Sequence, residues 1–277
     1  MLGRDMVDAL RQAGADVTAA GSRDLDVRHA DRCRDVAKGH DMIVNCAAWT
    51  DVDGAEAEEG AAFAVNAVGA ANLAVAAAAA GARMVQMSTD YVFDGTARDP
   101  YAENARLSPT SAYGRTKAAG EWAALAQHDD VLVMRTAWLY GQHGHCFPRT
   151  INDVLGRGSG CDVVTDQVGQ PTWTGDVAAL LLKLVKAAAP PGTYHATSSG
   201  SVSWHGFAQA VALAGGRALS DVRETTSDRF VRPAPRPAYS VLGHEALHDL
   251  GISPIGHWRD RFDQAASGVL SARGEGA

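Results

Sequence analysis

Two side chains near the middle of the chain have the types and spacing needed for carbonyl reduction. Tyr113 and Lys117 are four residues apart, which places a phenol and an ammonium on one face of a helix. A nearby ammonium favours the phenolate and lowers the pKa of the phenol from its usual value of about 10. The pair therefore indicates a tyrosine that gives a proton to a carbonyl oxygen during hydride transfer.

Two hydroxyl side chains follow a run of apolar residues just upstream of this pair. Ser88 and Thr89 end the run that begins at Met84, so both would lie at the carboxyl end of a buried strand. In parallel α/β sheets, ligands bind at that end. A strand-end turn that satisfies backbone groups is the alternative. Tyr-x-x-x-Lys also occurs on solvated helices, and its combination with this strand end favours an active site.

The elements that must position these residues alternate between strands and helices. Apolar runs rich in Val, Ile and Met predict buried strands, and the Ala-rich or amphipathic segments between them have helical periodicity. The predicted strands are 16–20, 42–46, 84–88 and 131–135, and the clearest helices are 63–80 and 116–127. This alternation predicts an α/β fold with a Rossmann-like, doubly wound parallel sheet covered by helices on both faces.

The pattern changes beyond about residue 145, where loops containing Gly and Pro interrupt shorter elements. This change predicts a smaller α/β substrate lobe at the C-terminal end. We therefore expect a Rossmann-like domain over residues 1–148. Residues 149–277 would form mainly the substrate-binding lobe, with some elements returning to the first domain.

The composition excludes several classes of protein. The chain has 277 residues, of which 46% are hydrophobic and 21% charged, and its net charge of −7 opposes broad adhesion to nucleic acid or anionic membrane. The most apolar stretch, 73–82, is shorter than the roughly 20 residues of a membrane span. His143, His145 and Cys146 lack a second pair to complete a metal site. We expect a cytoplasmic protein, without a secretory signal, that binds no nucleic acid, membrane or metal.

Five ordered motifs carry a resemblance to a known family. They are DMIVNCAAWTDVDGAE at 41–56, STDYVFDG at 88–95, YGRTK at 113–117, RTAWLYG at 135–141 and DQVGQPT at 166–172. In this order they resemble the extended short-chain dehydrogenase/reductases, and among them the dTDP-4-dehydrorhamnose reductase family. The likeness runs from Gly3 to about Leu242. It implies reduction of the C4 keto group of dTDP-4-dehydro-L-rhamnose by NAD(P)H to give dTDP-L-rhamnose.

The resemblance implies roles at the reacting centre. Tyr113 would protonate the C4 oxygen, and Thr89 would form a hydrogen bond to the same oxygen. Lys117 would lower the pKa of Tyr113 and bind the nicotinamide ribose. Asp90 and Trp138 would line the deoxysugar pocket, with core packing as the alternative for Trp138.

The resemblance also places a cofactor, NADPH or NADH, in the domain at 1–148. Asp26 and Val27 match positions beside the adenine, although Asp26 could equally cap a helix. Arg23 lies in a segment without an acidic residue for a free ribose 2′-hydroxyl and could face a 2′-phosphate, which favours NADPH. The other cofactor-binding positions are Leu2, Gly3, Ala48, Trp49, Thr50, Met87, Tyr113 and Lys117.

In the smaller lobe, the resemblance concerns the nucleoside diphosphate of the substrate. Gln170 and Thr172 match the hinge to that site, and both are expected to contact the substrate. Arg236, together with Arg232, could neutralise the diphosphate, because guanidinium groups suit bidentate phosphate contacts. The alternative for both arginines is a surface charge on a Pro-rich loop.

The start of the chain departs from the family pattern. Leu2, Met6, Val7 and Leu10 form an apolar helical face where the family has a first strand and a Gly-rich phosphate loop. Only Gly3 could be the last glycine of that loop. We expect that the start codon is assigned too far downstream, and the mass of the native product would test this.

Two alternatives to the main interpretation stay open. One is a non-catalytic, NADP-binding regulatory subunit similar to that of methionine adenosyltransferase, which the incomplete glycine loop favours slightly. The other is a reductase for another dTDP-4-keto-deoxysugar, such as that leading to dihydrostreptose. Cys146 stands before Phe147 where the family usually has Asn, and this change could shift the sugar preference. The expected assembly is a monomer or a homodimer.

Overall fold

Residues 1–271 of the chain are described by a computed structural model. Its helices are α1 (Leu2–Gln12), α2 (Ala30–Ala37), α3 (Gly54–Ala57), α4 (Glu59–Phe63), α5 (Gly69–Ala80), α6 (Ala112–Gln127), α7 (Phe147–Gly156), α8 (Thr174–Lys186), α9 (Trp204–Ala214), α10 (Glu245–Asp249) and α11 (Trp258–Ser271). Its strands are β1 (Met42–Asn45), β2 (Arg83–Thr89), β3 (Val131–Thr136), β4 (Leu139–Tyr140), β5 (Cys161–Val164), β6 (Val168–Gly169), β7 (Thr172–Trp173), β8 (Gly192–His195), β9 (Ser198–Ser199), β10 (Val202–Ser203), β11 (Val222–Thr225) and β12 (Ile255–His257).

A parallel sheet with the order β1-β2-β3-β8 forms the centre of the molecule. Its register places Val85 beside Val44 on one side and Leu132 on the other. Three of the four predicted strands are thereby confirmed. β8 joins the sheet from well beyond residue 148, and it pairs with β3.

Side chains alternate between the two faces of this sheet, as the period of a strand requires. Val85 and Leu132 point into a cluster with Leu2 of α1 and Leu181 of α8. The neighbouring residues, such as Met84, point to the other face and pack with α2 and α5. Because helices cover both faces, the doubly wound arrangement predicted from the sequence is confirmed.

The prediction of a strand at 16–20 is wrong. These residues have no regular structure and are mostly exposed. Among residues 1–271, β1 pairs only with β2, and its other edge has no strand partner. The sheet therefore does not extend on that side to residues 16–20. Without backbone partners in a sheet, a short β-prone run does not form a strand. Arg23, expected just after that strand, lies instead in an exposed turn.

The longest apolar helical run exceeds the stretch considered from the sequence. Glu59–Ala80 is continuous through a π-helical segment, Ala64–Val68, and by length and composition its 22 residues could cross a membrane. Half of its most apolar 18-residue stretch is buried inside the protein, with α5 packed against α2 and α6. Its apolar character is thus that of a core helix.

The smaller lobe has its own aromatic core. β5 and β11 pair in parallel, and α7, α9 and α11 pack beside them. Phe207 is fully buried and contacts the rings of Tyr140, Trp258 and Phe262.

Candidate active site

The start of α6 brings Tyr113 against the end of β2. Ser111 caps the helix by accepting a hydrogen bond from the Gly114 N–H at 3.1 Å. A Cβ at Gly114 would lie 2.2 Å from the Tyr91 carbonyl oxygen, so only glycine allows this approach. Tyr91 and Tyr113 consequently meet edge to face, with ring centroids 5.6 Å apart. Thr89, two residues before Tyr91, is thereby brought beside Tyr113.

Lys117 lies one turn further along α6 and reaches the same strand. Its ammonium donates a hydrogen bond of 2.7 Å to the Met87 carbonyl oxygen. Burial lowers the pKa of Lys117 to about 8, while the Glu121 carboxylate opposes that change. A single turn of α6 and the end of β2 therefore bring Thr89, Tyr113 and Lys117 together.

Burial has the largest effect on the pKa of Tyr113. Burial raises the pKa of Tyr113 to about 12, and the nearby Asp90 carboxylate adds to this rise. The Thr89 hydroxyl, which contacts the phenol, opposes it. The desolvation of a phenolate thus outweighs any help from the ammonium, and Tyr113 is protonated at neutral pH, as a proton donor must be.

A buried ion pair behind Lys117 was missed by the sequence analysis. Glu121 accepts two hydrogen bonds from Arg135, at 2.7 and 2.9 Å, and a third from the Ser88 hydroxyl at 2.5 Å. Both charged side chains are almost fully buried. The available signal was spacing, because Glu121 follows Lys117 by four residues just as Lys117 follows Tyr113.

The loop after β1 faces the same edge of the sheet and carries Ala48, Trp49 and Thr50. Asn66, in the π-helical segment, accepts a hydrogen bond from the Trp49 N–H at 2.8 Å and donates one to the Trp49 carbonyl at 3.3 Å. Asn66 also donates to the Thr116 hydroxyl on α6. This amide joins the loop to the helix that carries Tyr113, and it too was missed.

The residues of this edge fit the nicotinamide half of a dinucleotide. Lys117 and Tyr113 present the ammonium and phenol that would bind a ribose and a carbonyl oxygen, and the carbonyl of buried Met87 anchors the ammonium. At the beginning of α1, Gly3 lies against Cys46, and Leu2 is buried in the core. Leu2 therefore supports α1 by packing, and only its backbone could approach a phosphate.

Asp26 and Val27, the two residues predicted to contact the adenine, lie in different surroundings. Asp26 is held by Arg28 through hydrogen bonds of 2.6 to 3.1 Å, and this guanidinium keeps the pKa of Asp26 well below its usual range. Val27 is buried beneath α5, where a Cβ at Gly69 would lie 2.5 Å from it. Because the Asp26 carboxylate already has a partner, a ribose would have to compete with Arg28 for it.

Trp138 occupies a strained position at the entrance of the smaller lobe. Its φ is 47°, a conformation that is costly for a bulky residue. Its ring stacks on Trp204, with centroids 3.5 Å apart, and also lies against Gly169, where a Cβ would come within 2.5 Å. Such strain is typical of functional sites. The ring does pack, as the alternative prediction for Trp138 requires, but this packing does not test contact with a sugar.

The side chains of Gln170 and Thr172 do not face an open site. The Gln170 amide donates to the carbonyls of Ser198 and Leu242 and accepts from the Leu242 N–H, at 2.8 to 3.1 Å. The Thr172 hydroxyl donates to the Gln170 carbonyl and accepts from the Ser198 N–H. Both are buried. Their polar groups already join separate segments of the chain, so a substrate would have to displace these hydrogen bonds to contact them.

Arg236 is bound to a carboxylate rather than free. It forms a bidentate pair with Asp53, with both contacts at 2.9 Å, while Arg232 reaches the same carboxylate at 3.4 Å. The Ala234 N–H also donates to Asp53. The pair joins the loop after β1 to the Pro-rich segment, so a diphosphate would have to displace Asp53 to take Arg236 in full.

The fold and this constellation define a Rossmann-like oxidoreductase of the short-chain dehydrogenase/reductase type. Over residues 1–270 the sequence matches the family model described as the RmlD substrate binding domain, and the chain belongs to that family. The family that the motifs implied is therefore confirmed.

Relatives of known name agree with this assignment. The chain is 46% identical to a dTDP-4-keto-6-deoxy-D-glucose reductase of Streptomyces niveus, covering 96% of this chain and 93% of the relative. It is 42% identical to a dTDP-4-dehydrorhamnose reductase of Mycolicibacterium smegmatis, over 100% of this chain and 85% of the relative. A solved dTDP-4-dehydrorhamnose reductase from Bacillus anthracis, in complex with NADP, superposes with a TM-score of 0.92 at 32% identity, covering 95% of this chain and 94% of that one.

Proposed function

We propose that this chain reduces dTDP-4-dehydro-L-rhamnose to dTDP-L-rhamnose with NADPH as the preferred hydride donor. The observation that carries the proposal is the convergence of Thr89, Tyr113 and Lys117 at the end of β2, in a chain whose family relatives are named as dTDP-4-keto sugar reductases. The NADP in the Bacillus anthracis relative supports the choice of cofactor.

The mechanism follows from the positions of these groups. NADPH, when bound at this edge, would supply the hydride that reduces C4 of the sugar. Tyr113, whose pKa is raised to about 12, gives its proton to the C4 oxygen as negative charge develops there. The Thr89 hydroxyl orients that oxygen, and Lys117 holds the cofactor ribose while anchored to the Met87 carbonyl. Trp138 offers an apolar face to the sugar ring.

A second candidate substrate rests on the relatives themselves. Two that exceed 40% identity are named for other 4-keto sugars, the Streptomyces niveus enzyme and a probable dTDP-4,6-dihydroxy-2-methyloxan-3-one 4-ketoreductase of Streptomyces antibioticus. The side chains that act on C4 do not distinguish the substituents at the other positions of the sugar ring. A reductase of another dTDP-4-keto-deoxysugar is therefore the alternative, whereas a regulatory subunit has no need of a proton donor and its ammonium partner.

The test is oxidation of NADPH in the presence of each sugar. Purified wild-type protein is assayed with dTDP-4-dehydrorhamnose and with dTDP-4-keto-6-deoxyglucose, and the Tyr113→Phe variant is the control. A higher kcat/KM for the rhamnose precursor supports the proposal, and a higher value for the glucose derivative supports the alternative. If neither sugar is reduced by protein that binds NADPH, the reductase function is wrong.

Location and assembly are part of the same proposal. We place the enzyme in the cytoplasm, because its relatives are nucleotide-sugar reductases and its longest apolar helix is half buried in the fold. Recovery in the membrane fraction of lysed cells would contradict this. A monomer or homodimer is expected, and sedimentation velocity of the purified protein distinguishes the two.

A further inference from the structure

Three polar side chains follow one another at single-turn intervals along α6. Tyr113, Lys117 and Glu121 are each four residues apart, which places them on one face of the helix. Lys117 donates its hydrogen bond of 2.7 Å to the Met87 carbonyl, and Glu121 accepts one from the hydroxyl of the next strand residue, Ser88. Glu121 therefore lies one turn behind Lys117, on the side away from Tyr113.

The ammonium of Lys117 is buried with little to compensate its charge. Its side chain is only 4% exposed, and the Met87 carbonyl that accepts its hydrogen bond is a neutral group. Because a buried charge is costly unless it is paired, burial lowers the pKa of Lys117 from 10.5 to about 8. An ammonium has three protons to donate, so two remain for ribose hydroxyls, whereas the neutral amine keeps only one.

Glu121 supplies the negative charge that opposes this loss. The groups that act on Lys117 are the Glu121 carboxylate and the Cys46 sulfur, and both favour the ammonium. Burial raises the pKa of Cys46 to about 11, so this group is a neutral thiol where Lys117 titrates. The Tyr113 phenol, with a pKa of about 12, is also neutral there. Glu121 is thus the charged partner of Lys117 near neutral pH.

The Glu121 carboxylate is itself held in place from a second strand. Arg135 on β3 donates to both of its oxygens, at 2.7 and 2.9 Å, and the two side chains are 4% and 1% exposed. His195, which lies beside Arg135, adds no charge because its pKa is lowered to about 3. Asp90, just after β2, acts on the Tyr113 phenol. The position of the carboxylate relative to Lys117 is therefore fixed by packing between β2, α6 and β3.

We propose that Glu121 keeps Lys117 in its charged form, ready to bind the ribose of the cofactor. Glu121 is a positioning residue, because it acts through Lys117 and lies behind it. The inference rests on the proposed reductase function, which gives Lys117 its task. The alternative is a purely structural ion pair that joins α6 to β3, and the tests are chosen to separate the two.

The first test measures the charge of Lys117 without sugar or cofactor. The chain has four lysines, Lys38, Lys117, Lys183 and Lys186, so carbon-13 labelling at lysine Cε gives a simple spectrum. The resonance that is missing in Lys117→Arg belongs to Lys117. Its titration midpoint should lie near pH 8 in the wild type and should fall by about one pH unit in Glu121→Gln, because an opposite charge is lost. An unchanged midpoint would overturn the proposal.

A double variant guards against a trivial loss of structure. Glu121→Gln leaves Arg135 as a buried cation without its carboxylate, which destabilises the fold. Glu121→Gln/Arg135→Met removes both charges together and is expected to fold, and the lowered midpoint of Lys117 should persist in it. A return to the wild-type midpoint would show that the unpaired guanidinium, and not the missing carboxylate, acted on Lys117. That result would overturn the proposal.

A second ion pair on α6 provides the matched control. Glu59 pairs with Arg115 at 2.8 Å, and both side chains are more than 40% exposed. Glu59→Gln also removes a carboxylate bound to an arginine of this helix, but it should leave the Lys117 midpoint near pH 8. A shift as large as that of Glu121→Gln would mean that the titration reports a general disturbance of α6, and would contradict the specific role of Glu121.

The second test connects this charge to the cofactor. NADPH affinity, measured by fluorescence titration, should weaken in the wild type as pH rises through about 8 and Lys117 loses its proton. In Glu121→Gln/Arg135→Met the weakening should begin about one pH unit lower, so that Kd at about pH 7.5 rises about two- to threefold. The same pH dependence in both proteins would overturn the link between Glu121 and cofactor binding.

Failure of the proposed function gives a different result from failure of this inference. If the wild type binds NADPH but reduces neither sugar, the proposed substrate is wrong, while both measurements still decide the role of Glu121. If the wild type binds no NADPH, the proposed function is wrong, and the lysine titration alone decides whether Glu121 maintains the charge of Lys117.

Discussion

The end of β2 and the hinge at 166–172 both bury polar side chains, but they use them in different ways. At β2, Asp90 Oδ2 has no hydrogen-bond partner, and Tyr113 has a phenol whose pKa is shifted by burial. At the hinge, every polar group of the Gln170 amide and the Thr172 hydroxyl is bonded to the backbone. Both regions lie within the part of the chain that matches the family model.

This difference separates residues that can act on a ligand from residues that support the fold. A buried polar group without a partner costs free energy, and such a cost persists where a substrate or a moving proton supplies the missing contact. A group whose hydrogen bonds are all made can bind a ligand only after one of those hydrogen bonds is broken. The polar side chains of Gln170 and Thr172 are therefore engaged within the fold, whereas the segment at 88–95 keeps a buried carboxylate oxygen without a hydrogen bond and is the better candidate for chemistry.

The largest expected effect is at Tyr113. Tyr113→Phe should lower kcat by about 10²- to 10⁴-fold, since it removes the proton donor and leaves the ring packing intact. The melting temperature and NADPH affinity should stay close to those of the wild type. Steady-state kinetics and thermal unfolding measure the two halves of this prediction. An unchanged kcat would show that Tyr113 is not the proton donor. The end of β2 and the segment at 166–172 would then no longer differ in catalytic role.

The second effect tests the hinge. Gln170→Leu removes three hydrogen bonds to buried backbone groups and should lower the free energy of unfolding by about 3 kcal/mol. Urea unfolding measures this loss. The control, Gln167→Leu, loses one half-buried contact to Ser227 and should cost about 1 kcal/mol or less. A large rise in KM for Gln170→Leu with unchanged stability would show that Gln170 contacts substrate after all.

The third effect concerns His195, which lies in the fully bonded part of the sheet. Its ring is buried against Arg135 and donates to the Gly243 carbonyl, and burial lowers its pKa to about 3. The unfolded chain has a His pKa of about 6.5, so below that pH only the unfolded state binds this proton and stability falls as pH falls toward 3. The slope approaches about 1.4 kcal/mol per pH unit.

His195→Gln keeps a hydrogen-bond donor but does not titrate in this range. Its free energy of unfolding should therefore change less than that of the wild type between about pH 6.5 and about pH 5. Urea unfolding at the two pH values gives the comparison, in which titrating groups remote from His195 contribute equally to both proteins. Equal slopes for the two proteins would mean that His195 is charged in the folded state.

The smallest effect is at the ion pair of Asp53 with Arg236. A double-mutant cycle with Asp53→Ala and Arg236→Ala should give a coupling of about 1 kcal/mol in the free energy of unfolding, because both side chains are about one-fifth exposed. Calorimetry with dTDP then decides whether Arg236 also serves the ligand. Tighter dTDP binding by Asp53→Ala would show that the guanidinium, once released, takes the diphosphate, and no change would assign the pair to structure alone.

Much of the fold could be predicted because its signals are local. Three apolar runs became β1, β2 and β3, and the spacing of Tyr113 and Lys117 placed both on one face of α6. The run at 16–20 has the same type of residues but forms no strand, since strand formation depends on a neighbour that supplies backbone hydrogen bonds. The buried ion pair of Glu121 with Arg135, behind Lys117, was also missed, because Arg135 lies on β3, outside the helix that carries Glu121.

The sequence by itself determined the class of chemistry, since a phenol, an ammonium and a hydroxyl of the right types stand at strand-end and helix-start positions that any doubly wound fold brings together. Only the tertiary structure decided how each group is used. It gave Gln170 its backbone partners, paired Arg236 with Asp53, and left Asp90 Oδ2 without a partner. The physical reason is that burial and hydrogen-bond completion depend on segments far apart in the chain, and these two quantities set both the pKa of a side chain and its freedom to meet a ligand.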